Sequence, residues 1–165
     1  GSLTAGNSTP LSDGASAVLV CSEAWARSRG LVPQAHLTAV EVAAVDFVDR
    51  DGLLFAPTLA VPRLLARVGI GLRDVDVFEI HEAFAAQVLT TLKAWESEDF
   101  CRRRLGRDEP LGAIDRARLN PKGGSLAVGH PFAATGTRIV ANLAKQLAAG
   151  GARRGAGARG PGGRG

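Results

Sequence analysis

The chain has 165 residues, 45% apolar and 5% aromatic, enough for one domain with a buried core. No apolar stretch approaches the ~18 residues a membrane-spanning helix needs, and no charged-then-apolar leader is expected, so a transmembrane or secreted class is set aside. The formal charge of +4 comes from four arginines (Arg153, Arg154, Arg159, Arg164) in a tail without acids, leaving the rest neutral, so no basic surface for nucleic acid is expected.

The chain contains no Met and opens on Gly1-Ser2, which reads as a segment beginning inside a larger protein. Residues 17–21 (AVLVC) form a short apolar run, suited to a strand covered on both faces. Ser22 is placed to cap a helix over 23–29 that Gly30 stops. Residues 35–45 read as a long strand rich in Val, Leu and Thr, and 46–58 as a loop. Pro62 suits the first turn of a helix ending by Gly69. Residues 75–80 (VDVFEI) are strand-like. Over 81–95, Phe84, Val88, Leu92 and Trp95 fall on one helical face. The charged stretch 96–119 reads as a surface excursion with one short helix, and 120–137 is rich in Gly. Ile139, Leu143 and Leu147 then mark a last amphipathic helix. Alternation of this kind predicts an α/β layered domain over residues 1–150. Residues 151–165 are almost pure Gly, Arg and Ala, with nothing to bury, and are expected to be a disordered tail.

Cys21 and Cys101 lie too far apart for metal-ligand spacing, and Cys21 reads as a small buried residue. Neither a metal nor an organic cofactor is implied. Two histidines are more informative. His81 stands where a strand meets a helix, the usual crevice position in an α/β sheet, and a helix N-terminus there would supply free amides. On position alone it can equally be a helix cap or a surface residue. His130 sits in a Gly129-His130-Pro131 turn, where Gly129 permits close backbone approach and Pro131 fixes the exit direction. Such a His can act as a general base near neutral pH, or it can be incidental to a structural turn. His36 lies mid-strand and is assigned no role.

Three segments, GNSTPLSDGASA (6–17), HEAFAAQ (81–87) and NPKGGSLAVGHPFAATG (120–136), carry a resemblance to the C-terminal domain of thiolases, covering residues 3–150. The resemblance implies a fold of helices packed on a mixed five-stranded sheet. It implies acyl transfer, 3-ketoacyl-CoA plus CoA giving acetyl-CoA and a shortened acyl-CoA, with CoA as substrate and no cofactor. By this resemblance His130 is the base that activates a nucleophilic cysteine, and His81 positions a water in an oxyanion hole. Thr9 and Gly129 fall to substrate binding, Thr9 where related enzymes hold the pantetheine arm. HEAF, with the charged excursion, is similar to the fatty-acid β-oxidation branch. That branch implies a cytoplasmic protein that is a homo-oligomer or pairs with a hydratase/dehydrogenase α-subunit. An acetoacetyl-CoA thiolase is the nearer alternative, and a non-catalytic dimerisation or interaction module the farther one. Ketoacyl synthases share a Gly-His turn but lack HEAF.

The sequence departs from the family at two points. The nucleophilic Cys belongs to an N-terminal domain outside this chain. Where the second catalytic Cys is expected, the chain reads Arg159 or Gly160. The strand before it would be GAGA (155–158), which has no β-branched residue, so the last strand is expected to be lost. The chain alone is therefore expected to be inactive, and the tail is read as a shifted reading frame or damaged terminus.

Overall fold

A computed structural model of the chain describes residues 2–150 and 152–159. Among these residues six α-helices and a small parallel sheet follow in chain order: α1 (Glu23–Ser28), α2 (Pro57–Val68), β1 (Val77–Ile80), α3 (Ala85–Glu96), α4 (Glu98–Leu105), α5 (Ser125–Val128), α6 (Ala134–Ala148) and β2 (Gly155–Ala158). The Ser22 cap forms as predicted, its hydroxyl accepting from the Trp25 amide at 3.2 Å. Among the described residues none of the helices is long and apolar enough to cross a membrane.

The helix predicted from Pro62 begins earlier, with Pro57 in its first turn and Pro62 buried inside. An interior proline removes the amide that would bond the carbonyl four residues back. Here that carbonyl is Thr58's, and the Trp95 indole N–H donates to it at 3.2 Å. Trp95 itself is wholly buried. It joins Val61, Leu65, Val88 and Leu92 to seal α2 against α3 in the main core.

The sheet differs from the expectation in two ways. The described residues contain two paired strands, not five. The segments predicted as strands at 17–21 and 35–45 have no regular secondary structure and form no ladder, and they hold Val20 and Val42 at 72% and 81% exposure. The last strand, expected to be lost, is present as β2, in the tail expected to be disordered. It runs parallel to β1, with Val77 opposite Gly155 and Glu79 opposite Gly157. Gly151 and residues 160–165 of that tail lie outside the described residues.

Close packing explains why a sequence without β-branched residues makes this strand. One face of the pair, with Phe78, Ile80, Ala156 and Ala158, meets the main core. The other face lies under α6 at such short range that a Cβ on Gly157 would come within 2.9 Å of Ile139 Cγ2. A Cβ on Gly155 would sit 2.8 Å from Leu143 Cδ2. Glycine is required by space here, and propensity is overridden. The start of β2 is held by Asp76, whose carboxylate accepts from the Arg153 and Arg154 amides at 2.7 and 3.1 Å.

Gly157→Val, a change that strand propensity alone would favour, is therefore expected to destabilise the domain by about 1–3 kcal/mol through overpacking. Urea denaturation checks this; a raised midpoint would contradict the packing account.

Candidate active site

The C-terminal end of β1 delivers His81, whose amide donates to the Ala158 carbonyl at 2.9 Å. Contrary to expectation His81 does not open a helix. α3 begins at Ala85, behind Phe84 in extended conformation. The intervening residues are held from elsewhere: Phe84 bridges to Ser8, and the Thr9 amide donates to Ala83 O at 3.0 Å.

His130 comes from the turn between α5 and α6. Gly129 has φ +88°, and a Cβ there would lie 2.8 Å from Ser12 Cβ, so backbone conformation and space both call for glycine. The His130 amide donates to Pro10 O at 3.2 Å. Residues 8–12 thus run between the two histidine segments and hold both. Thr9 completes the clamp, its hydroxyl donating to Ser125 O at 2.8 Å.

The rings of His81 and His130 stack at a centroid distance of 4.2 Å and a tilt of 39°. His81 Nδ1 meets Ser125 Oγ at 2.7 Å, and Arg138 donates to the same oxygen at 2.8 Å. Ser125 is fully buried, so its hydroxyl proton needs an acceptor, and among these partners only His81 Nδ1 can accept. That places the His81 proton on Nε2, as a donor. His130 Nδ1 meets Thr135 Oγ1 at 2.7 Å. No described donor occupies that oxygen, so it can accept from Nδ1–H, the tautomer that leaves Nε2 with a lone pair.

Residues that sequence reasoning missed build the support. Asn120 accepts from the Ile80 amide at 2.8 Å and donates to the Ile80 carbonyl at 2.9 Å and to Glu82 at 2.6 Å. The other Glu82 oxygen accepts from the Leu126 amide at 3.0 Å. In the sequence only the nearby Gly123-Gly124 pair hints at this; the structure adds that Asn120 has a positive φ (46°), which asparagine tolerates better than most residues.

Both imidazoles are held neutral. His81, 7% exposed, is pushed down to about 4, by burial first and then by His130, Arg159 and Arg138. His130 is also lowered, by burial and then by Arg159 and Arg138. Glu79, beneath α6, is shifted upward by burial, partly opposed by the Gln146 amide at 2.9 Å. Neither cysteine takes part in these contacts: Cys21 is exposed, and the buried Cys101 thiol bonds to Ala94 O, Trp95 O and the Leu111 amide. Cys21 thus departs from the burial expected of it. Among the described residues no three His, Cys, Asp or Glu side chains gather as a metal ion would need.

Residues 31–165 match the family described as "Thiolase, C-terminal domain". The chain belongs to the thiolase family. A 3-ketoacyl-CoA thiolase of Pectobacterium atrosepticum is 49% identical over 147 residues, 89% of this chain and 33% of the relative. One from Shewanella loihica is 47% identical over the same span. The chain thus covers about a third of these thiolases. The crystal structure of Bacillus anthracis acetyl-CoA acetyltransferase superposes with a TM-score of 0.74 at 32% identity, covering 98% of this chain and 36% of that one. Human mitochondrial 3-ketoacyl-CoA thiolase gives 0.71 at 26%, covering 97% and 36%. The fold is that of a thiolase C-terminal domain, with the HEAF and GHP histidines of this thiolase chain facing one another.

The neutral His81 makes stability pH-dependent. An unfolded imidazole takes its proton near pH 6.5 and the folded one near 4. Between these values the unfolded chain binds more protons, so His81 withdraws up to about 3 kcal/mol as pH falls through the window. Glu79 acts with the opposite sign as pH rises above its usual range. Wild type and His81→Asn share Glu79, so their stability difference, from denaturant titrations at pH 4 to 6.5, isolates the histidine. The advantage of wild type should grow with pH; parallel curves would rule the account out.

Proposed function

We propose that this chain provides the base and oxyanion side of a 3-ketoacyl-CoA thiolase, acting on CoA thioesters. The observation that carries the reading is the 4.2 Å stacking of His81 and His130, each with Nδ1 occupied and Nε2 left for chemistry. In this reading a Cys thiol outside the chain gives its proton to His130 Nε2 and attacks the 3-keto carbon. Cleavage of the Cα–Cβ bond leaves the acyl group on sulfur and an acetyl-CoA enolate, whose oxygen His81 Nε2–H stabilises, directly or through water. Protonation of the enolate releases acetyl-CoA, and CoA thiol takes the acyl group. A preorganised donor in a water-poor site is the largest contribution such an enzyme makes. The thiolase relatives named above support the substrate class, as does the human enzyme solved with CoA, at TM-score 0.72 and 25% identity. HEAF supports placement in fatty-acid breakdown, in the cytoplasm, as a homo-oligomer or with a hydratase/dehydrogenase partner.

A second reading, a non-catalytic module, draws on Arg159, a cation at the position where the family's second thiol is expected. Assay separates the two. The 165-residue chain alone should not consume acetoacetyl-CoA, since covalent catalysis needs an activated thiol. A chimera joining residues 3–150 to the remainder of the Pectobacterium enzyme, both catalytic cysteines included, should turn over. In it His130→Ala should lose about 10²–10⁴ in rate and His81→Ala about 10²–10³. Full turnover by the His81→Ala chimera would remove the oxyanion role.

A further inference from the structure

Burial alternates residue by residue from Ala39 to Asp46. Ala39, Glu41, Ala43 and Val45 are partly covered, while Val40, Val42 and Ala44 are exposed, the two valines at 60% and 81%. A period of two is that of a strand with one covered face. Yet the run joins no sheet, and no amide of residues 39–45 donates to any of the described residues. A strand with one face in water normally carries polar residues on that face. Here the outward positions are apolar and the charge lies on the covered side. Glu41 pairs with Arg67 of α2 at 3.0 Å, and Arg67 also donates to the Val40 carbonyl. Residues 35–45 hold no other Asp, Glu, Lys or Arg, and none of the prolines or lysines that usually guard an open edge.

The run is complementary to itself. In antiparallel pairing about a two-fold axis at Val42, Val42 meets Val42, Val40 meets Ala44, Glu41 meets Ala43 and Ala39 meets Val45. No charge faces a like charge, and the single acid is already neutralised by Arg67. Arg67 also fixes which edge is open. In a strand the N–H and C=O of one residue point to one side and those of its neighbours to the other. The Val40 carbonyl faces Arg67, so the edge of residues 40, 42 and 44 is the covered one. The groups of residues 39, 41, 43 and 45 are left for a partner. Val42 then opposes its copy in a non-hydrogen-bonded pair, where Cα atoms come within about 4.5 Å and side chains pack closest.

We propose that residues 39–45 are an interface with a second copy of this chain, paired antiparallel about Val42. Each copy offers one open edge, so the contact is isologous and closes at two. The interface is small, and the association is weak and concentration-dependent. It needs neither thiol nor substrate, so it stands apart from the acyl-transfer reading.

Sedimentation equilibrium of the 165-residue chain, from about 10 to 500 μM, tests this. A monomer–dimer equilibrium is expected. Val42→Lys sets two like charges at the closest pair and should weaken it about tenfold or more. Val42→Ile should keep it. Val20→Lys, at an exposed valine outside the run, should also keep it. All three side chains stand in solvent, so circular dichroism should show unchanged folds. Amide exchange gives a second readout that a general loss of solubility would not move. With rising concentration the amides of residues 41 and 43 should slow, while those of 40, 42 and 44 stay as they are. A chain that is monomeric throughout overturns the proposal and leaves the face to the remainder of a longer thiolase polypeptide. A dimer that Val42→Lys leaves intact, or that Val20→Lys weakens equally, overturns this surface while sparing the homo-oligomer of the proposed function.

Discussion

The amide of Asn120 occupies the place of a strand partner beside Ile80, satisfying both its N–H and its C=O. It also fixes Glu82, and Glu82 fixes the start of α5 through the Leu126 amide. One short polar chain therefore ties the end of β1 to the segment that leads into the GHP turn. It accepts no substitute for Gly124, because a Cβ there would fall on the Glu82 carboxylate and 2.6 Å from Asn120 Nδ2. Together with residues 8–12, which hold both histidine segments, this backbone-mimicking side chain brings the two rings into contact.

Charge follows from the same geometry. A site buried tightly enough to order both rings also desolvates them, and desolvation is the first cause of both lowered proton affinities. Arg138 and Arg159 act in the same direction, so the imidazoles carry polarity without charge. One tautomer donates and the other accepts because Ser125 is already occupied by Arg138 while Thr135 is not.

Local rules with a short reach were legible in the sequence. Ser22 caps α1, the spacing of Val88, Leu92 and Trp95 marks the buried face of α3, and the Gly-His-Pro turn leads into α6. The pairing of HEAF with GHP was legible only through family resemblance, since the link runs through Asn120, Glu82 and Ser125, which carry no periodic signal. β2 was illegible because its glycines answer to the nearness of Ile139 and Leu143, a fact of packing between distant segments. The runs at 17–21 and 35–45 have strand composition, but composition does not supply a neighbouring strand. The start of α2 was misplaced because a proline was read as a beginning when a distant tryptophan had made it tolerable inside the helix.

That last contact constrains the order in which the protein can change. With Pro62 in place, losing the Trp95 indole leaves the Thr58 carbonyl with neither that donor nor the amide of a residue four positions on. With alanine at position 62 the carbonyl regains a helical partner, and its second lone pair can still receive the indole. Substitution at 62 thus opens the way to substitution at 95, while the reverse order passes through a chain with a buried orphan acceptor. The two positions form an epistatic pair with a preferred mutational direction, though neither lies at the site.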